Sequence, residues 1–238
     1  IKRANTEEIS INELTLRYTE EFMNDIKSLK ILPADKYPRA TDHIAEMIQM
    51  IQTLKESGYA YETKDHSIYF RLDSYDSYGQ LTKIDLTKQR ATERIINDEY
   101  SKDNPQDFAL WKAWDDEDGK VFWESPWGRG RPGWHIECSA MSIKYLGNHF
   151  DIHCGGIDNK FPHHENEIAQ SEAYTSKQPF SKIWMHNGLL QFGQDKMSKS
   201  IGNLVSVEEA LTKHQPDALR LYLLSSHYRS PLNYSDEG

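Results

Sequence analysis

The chain has 238 residues, 37% apolar and 27% charged, enough for one large domain or two modest ones, each with its own core. A formal net charge of −9 excludes a surface that grips nucleic acid all over, so any RNA partner is held at a local patch or elsewhere. No stretch of about 18 apolar residues offers a membrane span, Ile1-Lys2-Arg3-Ala4-Asn5 has no signal-peptide pattern, and two cysteines make no disulfide framework, so a cytoplasmic protein is expected.

In chain order, Ile11, Leu14, Leu16, Tyr18, Phe22, Ile26 and Leu29 recur at helical spacing and predict a packed helix between Glu7 and Leu29. A second helix follows Thr41, whose hydroxyl is a candidate cap, with Ile44, Met47, Ile48, Ile51 and Leu54 on one face and Gly58 as its stop. Tyr59 to Phe70 alternates like a hairpin, and residues 71–107 are polar and weakly patterned, an irregular, partly exposed insertion. Phe108 to Trp114 and Val121-Phe122-Trp123 are strand-like, around an acidic turn, Asp115 to Gly119, that reads as a solvated loop.

A boundary falls at Ser125 to Gly133, after which Trp, His, Cys and Gly become dense. Trp134 to Leu146 reads as a helix, Phe150 to His153 as a strand, Pro162 to Ala173 as a helix and Ile183 to His186 as a strand, the alternation a parallel α/β sheet requires. Ser206-Val207-Glu208-Glu209 is a capping box for a helix to about His214, and Pro216-Asp217 opens another through Leu224.

Three groups of residues could carry chemistry. Lys196-Met197-Ser198-Lys199-Ser200 sets two cations and two hydroxyls on a short polar loop, a composition that suits a triphosphate and also suits a solvated turn. His163 and Glu167, four apart on a predicted helix, leave one face together; with Cys138 they make a mixed zinc shell possible, and without it a solvated His/Glu face. Zinc prefers four ligands; Cys154 is the obvious internal fourth, the alternative being a small buried thiol under the Gly155-Gly156 turn. Gly155-Gly156-Ile157-Asp158 follows the strand ending at His153, where ligands of open α/β sheets bind; Asp158 there anchors a ribose hydroxyl or an ammonium, or only closes a turn. Trp134, His135 and His153 would bring aromatic walls and titratable nitrogens to the same place, although Trp134 equally suits a core.

The combination of Gly133-Trp134-His135-Ile136-Glu137-Cys138-Ser139-Ala140-Met141, Gly155-Gly156, Phe161-Pro162-His163-His164-Glu165-Asn166-Glu167 and Lys196 to Ser200 resembles the cysteinyl-tRNA synthetases over essentially the whole chain. The resemblance implies an α/β fold, a class I Rossmann-like parallel sheet split by a connective insertion and followed by helices. It divides the chain into 1–40, the end of the first catalytic half; 41–128, the insertion; 129–205, the second half with the zinc site and lysine loop; and 206–238, the start of a helical stem-contact region. It implies one zinc per chain on Cys138, His163 and Glu167, with a fourth cysteine upstream of Ile1, and Cys154 is a departure not counted as a ligand.

The resemblance further implies ATP with Mg2+, L-cysteine and tRNA(Cys) as substrates and partners, no membrane, and a monomer. Lys196 and Lys199 would be catalytic; Gly156, Asp158, His186 and Lys199 would hold the nucleotide; Trp134, His153 and Asp158 would line the cysteine pocket; Arg220 and Arg229 are candidates for phosphate contacts. The family's His-Ile-Gly-His element and its anticodon-binding region would lie outside these residues, so the isolated piece is expected to be inactive. Two other readings stay open: a ligase that passes activated cysteine to an amino sugar, as in mycothiol synthesis, and a non-catalytic zinc-binding fragment or paralogue.

Overall fold

A computed structural model describes residues 1–83, 106–192, 195–196 and 205–234. The chain divides into two compact units, one of residues 38–153 and 159–185, the other of 1–37, 154–158 and 186–238.

In the first of these units, helix α3 (Ile44–Glu56) buries Met47, Met50, Ile51 and Leu54, a stripe set by their three- and four-residue spacing. Its N-cap is His43, with no side-chain cap bond, so Thr41 does not cap it; Thr41 sits in a short 3-10 turn, Ala40–Asp42. Gly58, at φ +83°, ends the helix as expected. The stripe packs on an antiparallel sheet of β1 (Ala60–Glu62), β2 (Ile68–Phe70), β3 (Phe108–Ala113), β4 (Trp123–Ser125) and β5 (Gly128–Pro132), in the order β1-β2-β3-β5-β4. The β1–β2 hairpin is the one the alternation predicts, with Tyr61 opposite Tyr69.

Charge and polarity are satisfied partly inside the fold here. The acidic turn is a 3-10 turn, Asp116–Asp118, capped by the Asp115 carboxylate; Asp116, Glu117 and Gly119 are exposed, as expected of a solvated loop, but Asp118 is only 4% exposed and Arg131 Nε reaches its Oδ1 at 2.9 Å. Residues 71–83 are irregular and partly exposed, as expected, with Arg71, Asp73, Asp76, Ser77, Gln80 and Lys83 at the surface. Leu72 and Tyr75 are buried, and Asp107 takes hydrogen bonds from Leu72 N at 2.9 Å and the Tyr61 hydroxyl at 2.8 Å.

Helix α4 (Trp134–Leu146) matches its predicted limits and begins against β3 at Gly133, where a Cβ would stand 2.0 Å from the Ala109 carbonyl oxygen. Helix α5 (Glu165–Thr175) starts later than Pro162, because residues 157–159 and 160–164 form a 3-10 turn and a wide turn first. Strand β6 (Phe150–Gly156) pairs with β7 (Ser181–Asn187); it runs through Gly155 and Gly156, so those glycines belong to the strand and not to a turn after it.

The other unit holds α1 (Lys2–Thr6) and α2 (Ile11–Ser28), whose Ser10 and Glu13 form a reciprocal capping box. Helix α6 (Val207–Lys213) is capped by Ser206 on Glu209 N, as expected, and α7 (Pro216–Leu223) carries Pro at its start. Leu29, Ala210 and Leu219 form the buried cluster between them. Arg220 donates to the carbonyls of Leu29 and Lys30 at 2.8 and 2.9 Å, so it closes the end of α2. A three-stranded sheet pairs β8 (Leu190–Phe192) in parallel with β10 (Leu232–Tyr234) and antiparallel with β9 (Asp195–Lys196).

Candidate functional site

Helix α5 is buried along most of its length although Glu165, Glu167 and Glu172 lie on it. Two of these carboxylates are satisfied by the segment that follows β2. Glu165 accepts from Gly79 N and Thr82 N, each at 2.9 Å, from Leu81 N at 3.3 Å and from the Thr82 hydroxyl at 2.7 Å. Glu172 accepts from the Tyr75 hydroxyl and from Phe180 N at 2.9 Å. On the facing side, Gln170 Nε2 donates to the His135 carbonyl at 2.6 Å and to Ser139 Oγ at 2.7 Å, and Ser171 Oγ reaches Ser139 Oγ at 2.8 Å. These bonds fix α4 against α5.

That register brings together the ligand atoms of Cys138, His163 and Glu167, all within 4.8 Å of one another. Glu167 is fully buried and neither of its oxygens accepts a hydrogen bond from a described residue. His163 Nε2 stands 2.9 Å from Oε1 and His153 Nε2 3.4 Å from Oε2. A buried carboxylate that no donor hydrogen-bonds is costly unless a cation compensates it, and imidazoles alone, which lose their charge on burial, do so poorly, so this pocket suits a metal cation. Thiolate, imidazole and carboxylate are the donors zinc accepts, and the residues present fit that ion. Burial and the neighbouring Glu167 and Glu137 push the Cys138 thiol up to about 12 in the metal-free chain.

Aromatic rings frame the cluster. His135 and His163 meet through their Nδ1 atoms at 2.8 Å, which holds the His163 ring with Nε2 toward Glu167; burial keeps His135 at about 3, hence neutral. Trp134 stacks on His163 at 4.3 Å between ring centroids and is 56% exposed, so it is not a core residue. His153 stacks on Trp184 at 4.5 Å and is held below the usual imidazole range by burial. Sequence reasoning missed His164 and Trp184. His164, His153 and Glu167 also group within 4.8 Å, a set the adjacent His163-His164 pair could have suggested.

Trp134, Cys138, His153, His163 and Glu167 thus lie in one unit, and Gly156, Asp158 and His186 lie in the other. A Cβ on Gly156 would stand 2.5 Å from Asp158 Oδ1, so a glycine is needed where this carboxylate folds back. Cys154 is exposed and belongs to neither candidate metal-ligand group. Lys196 is on β9, whereas Met197 to Ser200, including Lys199, lie outside the described residues. Arg229 Nε donates to the Tyr228 hydroxyl at 2.9 Å.

The family model for tRNA synthetases class I (C) catalytic domain matches residues 1–238. A cysteine–tRNA ligase of Thermodesulfovibrio yellowstonii is 52% identical over all of this chain and 48% of its own length. One of Thermococcus kodakarensis is 51% identical over all of this chain and 49% of its own, so the chain spans about half the length of the curated relatives it matches. Among solved structures, a Mycobacterium tuberculosis methionyl-tRNA synthetase in complex with methionyl-adenylate superposes with TM-score 0.69 at 16% identity, covering 99% of this chain and 56% of that one. A putative arginyl-tRNA synthetase from Campylobacter jejuni gives 0.52 at 16% identity, over 89% and 37%. The α/β architecture is that of these enzymes. With its model matched from first residue to last, the chain belongs to the class I tRNA synthetase (C) catalytic-domain family.

Proposed function

We propose that the protein activates L-cysteine with ATP to cysteinyl-adenylate and transfers the cysteinyl group to tRNA(Cys). The observation that carries this reading is the fully buried Glu167, without a hydrogen bond, grouped with Cys138 and His163. Bound there, one zinc ion would take the substrate's sulfur as a thiolate ligand, for which a serine hydroxyl is a poor substitute at neutral pH. A pocket that measured size alone separates near-isosteres only about 10–200-fold.

Around that group, Trp134 and His153 wall the amino-acid pocket. Asp158 receives the substrate ammonium or a ribose hydroxyl, and Gly156 lets the nucleotide approach the backbone, with His186 beside it. ATP use follows from the family. The cysteine carboxylate attacks the α-phosphorus, the bond to the leaving pyrophosphate breaks, and Lys196 and Lys199 neutralise the charge that accumulates on it. The divisions 1–40, 41–128, 129–205 and 206–238, Mg2+ with the ATP, a monomeric state and a cytoplasmic location complete the proposal.

Pyrophosphate exchange on the complete protein tests it. Cysteine should drive exchange, serine should not, and Cys138→Ala should abolish it together with bound zinc. Absence of cysteine-dependent exchange would overturn the reading, and exchange without charging of tRNA would favour an amino-sugar acceptor.

A further inference from the structure

Helix α5 opens directly from the wide turn at 160–164, in which Phe161 is non-helical, so contacts on the two sides of the helix set its rotation. Glu165 and Glu172, seven residues apart, share one face, and Glu167, Gln170 and Ser171 share the opposite one. The second face carries the metal group and the bonds to α4. The first face is gripped by residues 75–82, in the same compact unit.

The grip has three points. The Tyr75 hydroxyl donates to Glu172, the Tyr78 hydroxyl donates to Asn166 Oδ1, and Gly79 N and Thr82 N each donate to Glu165 at 2.9 Å. Gly79 adopts φ +91°, a turn that aims its N–H at the helix and that only glycine takes without strain. Glu165 and Asn166 stand between His163 and Glu167 in the chain, so the segment holds the stretch of α5 that carries both ligands. Metal–ligand distances tolerate only about 0.2 Å, so a small turn of α5 takes Glu167 out of reach of an ion shared with Cys138.

We infer that residues 75–82 brace α5 so that His163 and Glu167 face Cys138, and that the tightness with which the chain holds zinc depends on this segment being docked. Tyr78, Gly79 and Glu165 are then positioning residues of the metal centre. The inference rests on the zinc site of the proposed function.

In the complete protein, Tyr78→Phe removes one hydroxyl and Gly79→Ala strains the turn, and neither touches a ligand. Both should lower zinc affinity in a chelator competition by about tenfold, the lower end for loss of a group that orients a ligand, and should shift the visible absorption of the cobalt-substituted protein. Tyr61→Phe, which removes the hydroxyl that donates to Asp107 at 2.8 Å, controls for stability alone: it should lower the Tm and leave zinc affinity and the cobalt spectrum unchanged. A second readout uses the metal-free protein. Alkylation of the half-buried Cys138 thiol, followed by mass spectrometry of its peptide, should be faster in Tyr78→Phe and Gly79→Ala, because the thiol is uncovered as α5 turns away. Unchanged zinc affinity together with unchanged alkylation overturns the inference, as does a loss of zinc affinity that Tyr61→Phe matches. A wild type that binds no zinc would strike the metal of the proposed function, and the alkylation rates would still decide whether the brace positions α5.

Discussion

Glu167 shows how one residue changes meaning between sequence and fold. In sequence it is one of a pair four apart that equally suits a solvated helix face; in the structure it is fully buried and neither oxygen accepts a hydrogen bond from a described residue. Glu167→Gln should therefore act with opposite signs: it stabilises the metal-free chain by removing a buried charge that only imidazoles approach, and it weakens zinc binding. Loss of a group that merely supports a ligand costs about 10–100-fold in metal affinity, so loss of this one should exceed that in a chelator competition. Asp107 gives a pH-dependent counterpart. Burial raises its carboxyl above the ordinary range despite bonds from Leu72 N and Tyr61. A folded-state value raised above the unfolded one gives a stability contribution that is full below the unfolded value, about 3.9, and is lost as pH rises through the folded one. Urea denaturation should thus show wild-type stability falling relative to Asp107→Asn as pH rises through that window, and a rise would contradict the assignment.

At the scale of elements, α5 is held by partners far away in sequence. Glu165 binds the backbone of residues 79–82, so Glu165→Ala leaves the buried N–H of Gly79 and the half-buried N–H groups of Leu81 and Thr82 without their acceptor. At about 1–3 kcal/mol for a buried unsatisfied donor, a loss of at least about 1 kcal/mol is expected in chemical denaturation. A loss near zero would mean that this segment does not dock on α5 in solution. Where an element's stripe and stop signals are local, as in α3, the sequence placed it closely; in α2 it gave a helix but not a packed one, since Leu14 alone in it is buried and Leu16 and Phe22 are exposed. Where the signal was polarity, as in residues 71–83 and the turn at Asp115 to Gly119, it gave the exposed residues but not the buried Gly79 and Asp118, because their partners Glu165 and Arg131 lie far along the chain.

At the scale of the whole molecule, zinc links the site to stability. A ligand that binds only the folded state adds about 2.7 kcal/mol at a free concentration of 100 times its dissociation constant. Chelation should therefore lower the Tm of the zinc-loaded protein, and added zinc, but not Mg2+, should restore it; an unchanged Tm would count against a metal on Cys138, His163 and Glu167. The sequence by itself singled out Cys138, His163 and Glu167 as a candidate ligand set, the apolar stripe of α3 and the family resemblance, because spacing and residue type are local information. It left Trp134 as an even choice between core and wall. Only the tertiary structure showed that Trp134 is exposed and that the three candidate ligands meet, and only it revealed His164 and Trp184 beside them. Burial and the loss of alternative partners are what turn a carboxylate or a thiol into a site, and both arise when α4, α5 and the antiparallel sheet are brought together by contacts distant in sequence.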